Sequence, residues 1–78
     1  METLVRDVLA AWREAERREN GAVAGSLEGD AAHEAVRRLT LLYRAVVGAE
    51  ASPANVKLYR ASLAAAQRQL GPEPEPAS

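Results

Sequence analysis

Apolar positions recur at three- and four-residue steps in three separate stretches of the chain, and a glycine closes each stretch. That spacing predicts three amphipathic helices. The last is the most sharply bounded. From Ser52 to Leu70, Val56, Tyr59, Leu63, Ala66 and Leu70 form one narrow apolar stripe. The Ser52 hydroxyl is placed to accept from the first free N–H groups, and Pro53 takes the first helical position, where its missing N–H costs nothing. Gly71 suits a left-handed cap and Pro72 stops propagation. The predicted helix covers 53–70.

The first stretch predicts a helix over 3–20, capped by Thr3 and stopped by Gly21, with Leu4, Val5, Val8, Leu9, Trp12 and Ala15 on one face. Glu2 with Arg6, and Glu14 with Arg18, stand four apart and support its solvent side. The mixed charges of REAERREN read as a solvated face. In the second stretch Ala32, Ala35, Val36, Leu39, Leu42, Tyr43, Val46 and Val47 cover more than a third of the circumference. A stripe that broad serves two neighbours, so this is the central helix. Its predicted span is 30–47. Asp30 is the preferred cap, and Ser26 the alternative, disfavoured by Gly29 in what would be the first turn. Val23 and Leu27, in the loop before it, are placed to cover the end of the core. Tyr43 and Tyr59 are expected to pack against each other across the short link at 48–51.

The fold class expected is therefore all-α: a small three-helix bundle, or a helical hairpin plus an N-terminal helix, with dimerisation as one way to complete it. Residues 1–71 are expected to form a single domain. Residues 72–78 alternate proline with acid and lack an apolar anchor, so they read as an extended or disordered tail.

Composition narrows the function classes. The chain has 78 residues, a formal charge of −1 and no cysteine, so it has neither a disulfide nor a cysteine-based zinc site to support a small core. Nine arginines stand against one lysine, while Phe and Ile are absent. A GC-rich coding bias explains both and suggests a small bacterial protein. The opening METLVRDVLAAW carries acids where a signal peptide carries bases, and no apolar run approaches the roughly 20 residues of a membrane span. A cytoplasmic location is the expectation, with no membrane partner.

Nothing in the chain assembles into catalytic machinery. His33, the single histidine, has no Ser, Cys or second His to make a triad, and the neighbouring Glu34 points elsewhere on a helix. Glu14, Glu19 and Glu34 carry no spacing that makes them converge. The loop from Gly21 to Gly29 has three glycines but neither the lysine nor the spacing of a phosphate-binding loop. The expected protein is not an enzyme, and it has no cofactor, no metal and no small-molecule substrate.

Two features fit poorly in a sealed monomer. Leu41 points away from the broad face of its own helix. Leu58, Ala61 and Ala65 make a second stripe nearly opposite Val56, Tyr59 and Leu63, and small residues on such a line let another helix approach closely. Trp12 joins them as an interface candidate, since a tryptophan can bury its ring and keep its N–H near water. The expected function is protein–protein interaction, by homodimerisation or by docking a helical partner as an adaptor or regulator. In the homodimer, Lys57 and Arg68 would meet Asp7 and Glu14 of the second copy. The alternative is a helix-turn-helix-like DNA-binding regulator. It would read a duplex with the basic third helix, through Lys57, Arg60 and Arg68, and touch phosphates with Arg37, Arg38 and Arg44. The slightly acidic chain and the scatter of these bases count against it.

Overall fold

In a computed structural model that describes residues 1–72, the chain forms three helices: α1 (Glu2–Gly21), α2 (Leu27–Gly48) and α3 (Pro53–Leu70). Apart from Pro72, the tail expected at 72–78 lies outside the described residues. The links are short, so consecutive helices must run antiparallel. Side-chain contacts agree: Trp12 meets Tyr43 and Glu19 meets His33 between α1 and α2, while Asp7 meets Arg60 and Arg18 meets Leu70 between α1 and α3. The architecture is an up-down-up three-helix bundle. As the breadth of its apolar stripe requires, α2 is central; it packs most extensively on α1, less on α3, and α1 touches α3 least.

The core is built largely from Leu4, Val8, Ala11 and Ala15 of α1, Ala35, Leu39, Leu42 and Val46 of α2, and Leu63 and Ala66 of α3. Alanines on both sides of the α1–α2 seam leave little bulk between the backbones, which permits close approach. The buried face of α1 is consequently turned from the one expected. Leu4, Val8 and Ala15 lie inside as expected, but Ala11 joins them, while Val5, Leu9 and Trp12 are only half-buried at the edge. Val47 also departs from expectation: it is exposed and lines a shallow groove beside α1 instead of entering the core.

The helix ends show what spacing alone could not decide. At α3 the Ser52 hydroxyl accepts from the Asn55 N–H at 3.1 Å and Pro53 fills the first turn, as the sequence predicts. Gly71 ends the helix at φ +80 and ψ 177, a positive-φ conformation but not the left-handed helical cap expected. The start of α2 is a correction. It begins at Leu27, not Asp30, because the Ser26 hydroxyl accepts from the Gly29 N–H at 3.0 Å. Gly29, which counts against this start on propensity, belongs to it. A Cβ there would meet Ser26 Oγ at 3.2 Å and the Val23 carbonyl at 3.3 Å, so the bare backbone lets the loop fold over the first turn. Asp30 then falls within that turn, where an acid complements the helix dipole. Val23 and Leu27 are both exposed and do not cover the core. At α1, Glu2 already lies in the helix and Met1 is the cap residue without a side-chain hydrogen bond, so Thr3 has no capping role.

Candidate interaction surface

The triangular cross-section leaves three grooves, and each has a different character. Between α2 and α3 runs an open groove of about 470 Å³ to which Leu41 and Leu58 both contribute. These leucines are 64% and 59% exposed. The reason lies in the helical wheel. The core side of α2 is set by Leu39, Leu42 and Val46, and Leu41 stands roughly 100° from Leu42 toward the α3 flank. On α3, Leu58 stands about 100° from Tyr59, which packs on the core. Both leucines therefore face the same side of the molecule. Ala65 and Ala45 line the groove with them, and Ala61 is exposed one turn above Leu58 on α3. Three of the five residues singled out for an interface, Leu41, Leu58 and Ala65, thus line one groove, and Ala61 lies outside its lining.

Trp12 lies apart from all four. It sits on the opposite flank of α2, half-buried, with its ring centroid 5.8 Å from that of Tyr43 and the planes tilted by 36°. The ring partner of Tyr43 is therefore Trp12 on α1, not Tyr59. Trp12 Nε1 is buried without a hydrogen-bond partner, contrary to the expectation that this N–H stays near water. Below this pair, the cap residue Met1, Val5 and Leu9 of α1, and Val47 of α2 line a second shallow groove, edged by Arg6 and Arg13. Periodicity gave no hint of this groove, because it assigned Val5, Leu9 and Val47 to the core. The Glu2–Arg6 pair expected at its rim is not among the ion pairs of the described residues.

The third groove, between α1 and α3, is fastened by charge. Arg60 Nη1 donates to Asp7 Oδ2 at 3.1 Å. Further up, Arg18 donates from Nε to Glu14 Oε1 at 2.9 Å, and its Nη1 lies 3.0–3.1 Å from the carbonyls of Leu70, Gly71 and Pro72. Arg17 also pairs with Glu14. The hydrogen bond from Arg18, reinforced by the charge of Arg17, holds the Glu14 carboxyl below its ordinary pKa. What reads in sequence as a solvated run of mixed charge thus includes a clamp on the end of α3. Sequence carried no signal for it, because the carbonyls involved belong to residues more than fifty positions away. The same contacts rearrange the charge scheme expected of a homodimer: Asp7 and Glu14, assigned there to Lys57 and Arg68 of a second copy, are already engaged within the chain.

The basic residues divide accordingly. Arg60 is tied to Asp7, and Arg37 lies 3.6 Å from Glu34. Arg38, Arg44, Lys57 and Arg68 make no ion pair among the described residues. Arg38 lines the α2–α3 groove itself. His33 Nδ1 meets Glu19 Oε2 at 2.7 Å, an exposed pair joining α1 to α2 rather than the His33–Glu34 combination of neighbours.

No family model, curated protein or solved structure matches the chain. Function must therefore be argued from the surface. Among the described residues there is no group of three or more His, Cys, Asp or Glu placed to hold a metal ion, and no helix long and apolar enough to cross a membrane.

Proposed function

We propose that the protein is a non-enzymatic interaction module whose docking surface is the α2–α3 groove. One observation carries this reading: two leucines from different helices spend most of their area on the same open groove, while the core beneath them is already closed by other residues. A lone exposed leucine needs no explanation, but two on one groove, with alanines beside them, match the surface that an amphipathic helix occupies. A second copy of the chain or a helix of another protein could supply the apolar complement, and a cytoplasmic adaptor or regulator is the setting that fits.

The DNA-binding reading draws on Arg38, Arg44, Lys57 and Arg68, which make no ion pair among the described residues. It leaves the leucines between them without a purpose, and it loses Arg60 to Asp7. The interaction reading is therefore preferred.

The test is Leu58→Glu. Because Leu58 is exposed, the variant should keep wild-type helix content and melting behaviour. It should lose whatever association the wild type shows by light scattering or by titration with a helical ligand, since it places a carboxylate in the apolar seam. A variant that unfolds would show that Leu58 belongs to the core and would sink the proposal.

A further inference from the structure

The groove that we read as a docking surface has a charge signature that selects among its occupants. Between Arg37 and Leu70 the chain carries six bases, Arg37, Arg38, Arg44, Lys57, Arg60 and Arg68, and one acid, Glu50, which lies in the link. Arg37 and Arg60 are balanced by Glu34 and Asp7. The other four cations are unbalanced among the described residues; Arg38 lines the groove and the other three stand outside its lining. On α2, Arg44 stands roughly 60° outward from Leu41, and Arg38 roughly 60° to its groove side. On α3, Lys57 and Arg68 stand roughly 80–100° outward from Leu58, one at each end of the Leu58–Ala65 stretch. Arg38 thus lies in the apolar seam, and Arg44, Lys57 and Arg68 flank it from the outward faces of the two helices.

We infer that the α2–α3 groove docks an acidic amphipathic helix of another protein. This rests on the reading of the groove as a docking surface and adds the chemistry of the partner. The partner would set leucine-like side chains at i, i+3 or i+4, and i+7 against Leu41, Leu58 and Ala65, and carry glutamates or aspartates on both flanks of that stripe. Its contact length follows from the chain. Leu58 to Ala65 is about two turns, and Lys57 to Arg68 spans about 16 Å, so roughly three to four turns of partner helix cover the seam and reach the cations at both ends.

The same charges work against the other occupants. A second copy placed on this groove by a two-fold axis would bring Arg38, Arg44, Lys57 and Arg68 toward their own counterparts, with Asp7 and Glu14 held by their internal partners. Like charges facing one another suppress such pairing. Nucleic acid would satisfy the cations but would cover Leu41 and Leu58 with phosphate and sugar, which offer no apolar complement. An acidic helix answers both features at once.

The experiment titrates the full chain against fluorescein-labelled peptides of about 18 residues, or roughly five turns. One carries a leucine stripe with glutamate flanks, one the same stripe with lysine flanks, and one the glutamates with the leucines scrambled. Mixed-sequence duplex DNA is the fourth ligand. The glutamate-flanked stripe should bind at least about tenfold more tightly than any other ligand and weaken strongly as salt rises from about 50 to 300 mM. Leu58→Glu should abolish that binding, and Arg44→Glu combined with Lys57→Glu should weaken it at least about tenfold while circular dichroism stays unchanged. If lysine- and glutamate-flanked stripes bind equally and Leu58→Glu removes both, the groove docks helices but the acidic partner is wrong. Self-association of the wild type through Leu58 at low salt would likewise keep the groove as an interface and overturn the acidic partner. If the scrambled acidic peptide or the duplex binds as tightly, the surface reads charge alone and an acidic amphipathic helix is not its ligand. No binding by either stripe, with no self-association, overturns the docking groove and its acidic partner together.

Discussion

Arg18 is the residue whose removal should change the molecule most out of proportion to its apparent surface role. Its side chain is 17% exposed, and it joins α1 to the end of α3 through one nitrogen. Helix C-termini leave their last carbonyls without intrahelical partners, and a cation there satisfies them and complements the dipole. Nη1 has only two hydrogens, so the carbonyls of Leu70, Gly71 and Pro72 share about two bonds' worth of interaction. A hydrogen bond to a charged group contributes roughly 1.5–3 kcal/mol when its loss leaves a buried partner unsatisfied. The Pro72 contact is exposed, and carbonyls at the end of a helix can turn to water, so the sum falls to about 1–2 kcal/mol for Arg18→Ala. The pair that Arg18 makes with Glu14 is a separate contribution, isolated by measuring Glu14→Gln alongside. Against a stability on the order of 0.05–0.15 kcal/mol per residue, the loss is a substantial fraction. Urea unfolding followed by circular dichroism should show the midpoint moving down. Native-state hydrogen exchange should localise the effect. The Gly71 N–H, bonded to the Gln67 carbonyl at 3.1 Å, should exchange faster, while amides around Leu39 change only as far as global stability does. Arg18→Lys should recover part of the loss, since an ammonium reaches the carbonyls but lacks the fork that also holds Glu14. An unchanged midpoint together with unchanged exchange at Gly71 would refute the clamp.

Three further outcomes follow from the packing, the cap and the charge. Leu39→Ala removes a side chain only 1% exposed at the centre of α2 and should lose about 2–5 kcal/mol, unfolding much of the population; a near-normal melting point would contradict the central position of α2. Ser26→Ala removes the cap hydrogen bond and should destabilise by about 0.5–2 kcal/mol, with NMR shifts showing α2 fraying back toward Asp30; a helix start that stays at Leu27 would show that the hydroxyl is dispensable. The folded protein holds Glu14 below its ordinary value of 4.5, so its stabilising contribution is present above that value and is lost as pH falls through the lower folded value. The stability difference between wild type and Glu14→Gln should therefore be full near neutrality and vanish in acid. A difference that persists unchanged in strong acid would remove the ionised carboxyl from the account.

Elements that depend on local chemistry were legible along the chain. Ser52, Pro53 and Gly71 act within a few residues of themselves, so they set the bounds of α3 without reference to the other helices, and the breadth of the α2 stripe named the central helix. The outward position of Leu41 and Leu58 was legible for the same reason: a helix of about 3.6 residues per turn fixes which residues oppose its core stripe. The rotation of the helices against one another, and the meeting of distant groups, depended instead on the packed bundle. Alanines allow closer approach than leucines, so α1 turned Ala11 inward beside the expected Ala15 and left Val5 and Leu9 at the edge, a choice made by the fit of two surfaces rather than by periodicity. Ser26 prevailed over Asp30 because the loop could fold onto the bare backbone of Gly29. Arg18 found the last carbonyls of α3, and Arg60 found Asp7, only because α1 and α3 run parallel in the bundle. The Arg60–Asp7 pair in turn removed one cation from those left unbalanced near the groove, an outcome that depended on what lies near Arg60 in space and not on what lies near it along the chain.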